Sequence, residues 1–145
     1  MITPELIVRA SEGEIAVLVA SEGLTVIRGR CAPGVQIAGR HIHLEHTDAF
    51  YVLEGELTFE LGPEAEAVTV GAGGFVAIPP GVAHALRNAS DGFAASLSIH
   101  APDGGFAAFM RGRRDGVDVD WDIADVPPDG GLPAAEAVVR SGPPR

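Results

Sequence analysis

Lysine is absent from this chain, and all ten of its basic residues are Arg, set against twenty acidic ones for a formal charge of -10. A surface of that sign cannot bind nucleic acid by releasing counterions from phosphates, and it offers nothing to anionic lipid. No apolar stretch approaches the ~20 residues that a membrane helix needs, so neither nucleic acid nor membrane is an expected partner. Cysteine occurs once, at Cys31, which excludes an intramolecular disulfide and leaves no second thiol to activate it; a structural role is expected. The N-terminal MITPELIVRA lacks a basic start followed by a long apolar run, and the expectation is a soluble, cytoplasmic protein. Also missing are a Ser-His-Asp arrangement, a Gly-rich phosphate loop opening a helix, and a dinucleotide fingerprint.

Present instead are 19 glycines and 11 prolines in 145 residues, too many for long helices and well suited to tight turns. Between residues 14 and 102 short runs rich in Val, Ile and Phe are each ended by Gly, Pro, Asn or Asp. Such spacing predicts strands at 15–20, 24–31, 41–44, 50–54, 56–61, 67–70, 75–78, 83–87 and 93–100. Eight or nine strands in one all-β domain suit a jelly-roll barrel. After Pro102, Asp103 is able to cap a short helix in which Phe106, Phe109 and Met110 share a face and Arg111, Arg113 and Arg114 lie toward the C-terminal end. Residues 1–115 are thus expected to form barrel and helix. Residues 116–145 form an extended tail with Trp121 as apolar anchor and a helical turn in AAEAVVR, lying across the barrel or a partner subunit, or disordered.

The segment HIHLEHTD carries the chemistry. His41 and His43 are two apart, so on a strand both imidazoles face one side while Ile42 and Leu44 face the other. Asp48 follows five residues after His43, and His84 comes after the turn Pro79–Gly81. Neutral imidazoles with one carboxylate are a ligand set that Fe, Mn, Ni, Cu and Zn accept. Taken singly, each would be an ordinary histidine at a strand end.

Together these residues resemble the two sequence motifs of the cupin superfamily. His41, His43, Asp48 and Gly55 match the first; Gly73, Pro79, Gly81, His84 and Asn88 match the second without a gap. AFYVLEGELTF and IPPGVAHALRN resemble the small single-barrel proteins grouped with quercetin 2,3-dioxygenase. The resemblance implies a double-stranded β-helix holding one divalent transition metal ion, Fe(II) before Mn, Ni, Cu or Zn, through His41, His43, Asp48 and His84. It covers residues 34 to 100 well and the flanks poorly. Two departures stand out: the spacing from Gly34 to His41 is one residue long, and Asp48 stands where the family usually has Glu. With a shorter side chain, either its strand lies closer to the metal, the reading favoured here, or Asp48 holds a water or orients a histidine.

Other residues carry two readings each. His46 can share the face of Asp48 as a replacement ligand, although a solvated loop histidine is expected. Ser96, Ser98 and His100 alternate with Leu97 and Ile99, so one face of that strand is polar and lines a pocket or, by a slight preference, meets water. Arg28 and Arg30 are placed to meet a substrate carboxylate or to form surface ion pairs. Phe50 and Tyr51 are expected in the core. The leading function is a metal-dependent oxygenase acting on a small enol, catechol or similar chelating substrate, with Asp48 as a base; an isomerase or cyclase without redox chemistry and a non-catalytic ligand-binding barrel are the alternatives. A homodimer is expected because the apolar segment 5–19 is able to add a strand to a neighbour's sheet.

Overall fold

The computed structural model describes residues 3–142. Its strands are β1 (Glu5–Ala10), β2 (Gly13–Ala20), β3 (Thr25–Cys31), β4 (Gln36–His41), β5 (Thr47–Glu54), β6 (Glu56–Leu61), β7 (Glu66–Gly71), β8 (Phe75–Ile78), β9 (His84–Arg87), β10 (Ala94–Ala101) and β11 (Val138–Arg140), with one helix, α1 (Phe106–Asp115). They form two antiparallel sheets, a seven-stranded one in the order β1-β2-β3-β10-β5-β8-β11 and a four-stranded one in the order β4-β9-β6-β7. The expected all-β jelly roll is what the chain adopts. Among the described residues no helix is long and apolar enough to cross a membrane.

Alternation along the strands sets what lies inside. On β5 the inward residues are Asp48, Phe50 and Val52, and on β10 they are Ala94, Ser96, Ser98 and His100, all buried. Register places His100 opposite Asp48, Ser98 opposite Phe50 and Ser96 opposite Val52. An apolar core inside the barrel gathers Val52, Leu57, Phe59, Leu61, Val76 and Ile78. Burying each such side chain contributes roughly 1.5–3 kcal/mol. A second apolar cluster joins Ile7, Val17 and Ile27 to Phe106 and Met110 of α1, which fixes the helix over the sheet.

The N-cap residue of α1 is Gly105 rather than Asp103, whose carboxylate, two residues earlier, accepts from the backbone N–H of Ala107 at 2.9 Å and of Gly105 at 3.0 Å. Gly104, at φ +63°, lies where a Cβ would sit 2.6 Å from His46 Nδ1, so only glycine lets the chain turn into the helix this close to the histidines. Asn88 of the second motif is fully buried and donates to the carbonyls of Ala32 and Gly92, tying the end of β9 to the end of β3.

Several expectations need correction. The strand expected at 41–44 lies at Gln36–His41, and His43 follows it in irregular chain, so strand alternation is not what aims the two imidazoles together. Glu5–Ala10 is a strand that pairs with β2 of its own chain. Tyr51 points outward and is 40% exposed, because in β5 it alternates with the buried Phe50. The turn in AAEAVVR is a single 3-10 turn at Ala134–Glu136, and the β-branched pair Val138 and Val139 then joins β8 as strand β11. The tail between lies against its own barrel: Ala124 bridges to Ile42 and Gly131 to Val82.

Candidate metal centre

All five histidines of the chain are gathered in one place. His41 and His84 are cross-strand partners on β4 and β9, Asp48 and His100 are cross-strand partners on β5 and β10, and His43 lies in the connection between the two sheets. The cluster therefore ties one sheet to the other. One nitrogen or oxygen from each of His41, His43, Asp48 and His84 lies within 4.8 Å of the others.

Hydrogen bonds fix which nitrogen each ring presents. His41 Nδ1–H donates to the Gly39 carbonyl at 2.6 Å, His43 Nδ1–H to the Asp122 carbonyl at 2.6 Å, and His84 Nδ1–H to the Val82 carbonyl at 3.0 Å. Carbonyls only accept, so each neutral ring carries its proton on Nδ1 and turns the Nε2 lone pair toward the others. His41 Nε2 and His43 Nε2 stand 3.2 Å apart, two acceptors facing each other. Asp48 Oδ2 is 3.4 Å from both His43 Nε2 and His84 Nε2. His84 Nε2 and Asp48 Oδ1 are buried with no hydrogen-bond partner. Leaving such atoms orphaned costs about 1–3 kcal/mol each, more for a charged group, and a cation at the centre satisfies them together. The residues present thus fit a divalent metal ion, and β5 lies close enough for the shorter Asp48 to reach.

Electrostatics agree with that chemistry. Burial disfavours the charged form of Asp48, but the surrounding imidazoles, His100 foremost, hold its carboxyl well below the usual carboxylate range, so it stays ionised. Burial and the neighbouring His84 push His41 down to about 4, keeping it neutral as a ligand must be. His100 is likewise lowered to about 4, chiefly by burial.

His46 is not the solvated loop histidine expected. It is 1% exposed, its Nδ1–H donates to Asp122 Oδ2 at 2.6 Å, and its Nε2 accepts from His100 Nδ1–H at 2.8 Å. The polar face of β10 does not meet water either: His100 stacks on Phe106 with ring centroids 3.6 Å apart, and its Nε2 lies 3.4 Å from Asp48 Oδ1. Asp122 went unnoticed in the sequence, one aspartate among several in the tail. Its carboxylate also accepts from the backbone N–H groups of Leu44 and Glu45 at 2.9 and 2.8 Å, clamping the loop that carries His43 and His46. Nothing in its spacing distinguishes it from Asp118, Asp120 or Asp125. Arg30 forms a surface pair with Glu54 at 3.2 Å.

A cavity of about 850 Å³ opens onto the cluster at His41 and His100, and Ser96 and Ser98 lie along its wall.

A family model described as a cupin domain matches residues 27–100, slightly more than half of the chain. Among solved structures, a protein with a double-stranded beta-helix domain from Klebsiella pneumoniae is 24% identical, covering 65% of this chain and 80% of its own, with a TM-score of 0.57. A predicted oxalate decarboxylase from Thermotoga maritima is also 24% identical over 70% of this chain and 93% of its own, TM-score 0.57. KdgF from a Halomonas species is 16% identical over 68% of this chain and 86% of its own, TM-score 0.59. At these identities the likeness is one of fold. No curated protein matches the chain.

Proposed function

The chain belongs to the cupin domain family, and from that premise we propose that it is a mononuclear metal-dependent oxygenase acting on a small organic molecule that chelates through neighbouring oxygens, an enol or a catechol. His41, His43 and His84 hold the ion through Nε2 and Asp48 through a carboxylate oxygen. The observation that carries this reading is the convergence of three lone-pair nitrogens and a buried carboxylate, two of the cluster's atoms lacking any partner, beside a cavity that His41 lines. When bound, the ion, Fe(II) before Mn, Ni, Cu or Zn, supplies Lewis acidity and, for the redox-active metals, one-electron chemistry.

The chain's own residues do the rest. The carbonyls of Gly39, Asp122 and Val82 set the tautomers; the Asp122 carboxylate and His46 orient His100; α1 and Trp121 shield the centre from bulk water. Asp48, whose carboxyl the surrounding imidazoles, His100 foremost, hold below the usual carboxylate range, is assigned as a ligand. His100, neutral and on the cavity wall, is the group placed to take a proton from a bound ligand. The test is oxygen uptake by Fe(II)-loaded protein with a panel of catechols and enols, repeated anaerobically. Turnover of a panel member that proceeds equally without oxygen would replace the oxygenase by an isomerase.

We also propose a homodimer. Supporting it are the position of β1 at the end of the seven-stranded sheet and the exposed apolar Tyr51 and Leu53 on the outer face of that sheet. Light scattering at micromolar concentration should give twice the chain mass; a monomeric mass overturns the proposal.

A further inference from the structure

The cavity is far larger than a chelating head requires. At about 850 Å³ it falls in the range that encloses a whole drug-sized ligand, whereas an enol or catechol oxygen pair occupies only the part lined by His41 and His100. Most of the remaining wall is apolar, with Ile27 and Leu57 from the barrel, Phe106, Phe109 and Met110 from α1, and Trp121 from the tail, while Gln36, Ser96 and Ser98 are its uncharged polar residues. Three of these are flat rings packed on one another, with Phe109 stacked on Trp121 at 4.7 Å and Phe106 5.4 Å from Trp121. Of the charged lining residues, Glu12, Arg30, Arg40, Arg113 and Asp125 are exposed and Glu14 is half-buried. A ligand whose body is ionic or sugar-like would leave polar groups unsatisfied against this wall, while an apolar body gains from it.

Phe106, Phe109, Met110 and Trp121 lie outside residues 27–100, the part matched by the family model, whereas Ile27, Phe50 and Leu57 on the barrel side of the lining lie inside it. We propose that α1 and the tail through Trp121 form a specificity wall, and that the ligand of this site is an elongated molecule with a chelating oxygen pair at one end and an apolar, ring-bearing body at the other. This rests on the metal-centre reading for the chelating end only.

Hydroxamates of increasing apolar size test it on the full chain loaded with Zn(II), which brings no redox chemistry. Acetohydroxamate, benzohydroxamate and 2-naphthohydroxamate share one chelating head. Calorimetry should show affinity rising at least tenfold from the methyl to the naphthyl probe. Quenching of Trp121, the chain's one tryptophan, should saturate with the same constants. Phe109→Ala should shrink the naphthyl-to-methyl ratio severalfold and Phe109→Leu, which keeps most of the volume, by less. Equal affinity for the three probes overturns the wall. The metal-free protein separates this from the metal reading: 2-naphthol should still quench Trp121 there. If acetohydroxamate fails to bind but naphthol binds, the metal centre is wrong and the wall stands; if naphthol binds neither form, the wall falls.

Discussion

Two parts of the barrel interior, the apolar core and the histidine cluster, are built from the same strands and put to opposite uses. Going along β5 from Val52 through Phe50 to Asp48, and along β10 from Ala94 through Ser96 and Ser98 to His100, the inward face passes from apolar to polar within four to seven residues. In the core, Val52 and Phe59 are wholly buried among other apolar side chains. In the cluster equally buried groups are imidazoles and a carboxylate, and two of their atoms lack partners. The difference teaches that the apolar core supplies stability against which the cluster's unsatisfied groups are tolerated.

The largest effect that would break this comparison is loss of the core. Phe59→Ala, at a fully buried position, should cost about 3–5 kcal/mol in denaturant unfolding. A cost below about 1 kcal/mol would mean that the apolar core is not what holds the barrel together.

Acidification should strike the cluster. In the metal-free protein His100 is held near 4 by burial, against about 6.5 when unfolded, so the unfolded chain binds the extra proton first. Stability is then complete above about pH 6.5 and falls as the pH drops toward 4, by on the order of 3 kcal/mol for His100, with His41 shifting in the same direction. Thermal melts between pH 7.5 and 4 check this; a flat profile over that range contradicts it.

Legibility in the sequence divides along the same line. Spacing within HIHLEHTD and IPPGVAH marks the four ligand candidates because those residues are close in sequence to one another or to a turn, Gly81 at positive φ preceding His84 by three residues. His100 and Asp122 reach the site only through strand register and the path of the tail, which no local pattern encodes. His46 looked like a loop residue because its partners lie 54 and 76 positions away. The strand β1 was missed for a related reason: its ELIVRA alternates weakly, and pairing with β2 decides its structure.

A smaller effect sharpens the comparison at its hinge. Asp122→Ala removes the clamp on the loop bearing His43 and His46 without touching a proposed ligand, and metal affinity should fall 10–100-fold with the fold retained. Competition with a chelating dye reads it, and unchanged affinity would reduce Asp122 to a surface residue. Smallest of all, Ser98→Ala should alter stability by less than about 0.5 kcal/mol, since the side chain lines the cavity and is no member of the packed apolar core.

The central claim is that His41 and His84 of the four-stranded sheet, His43 of the connection and Asp48 of the seven-stranded sheet hold one ion. Elemental analysis of protein purified without a metal-binding tag tests it most directly when the unaltered chain is set beside His84→Ala and Asp48→Ala. The account predicts close to one transition-metal equivalent per chain in the first, almost none in His84→Ala, and a remaining fraction in Asp48→Ala, where water replaces the carboxylate. Full occupancy in His84→Ala, or no metal in the unaltered protein after exposure to Fe(II), Mn(II), Ni(II), Cu(II) and Zn(II), would contradict it.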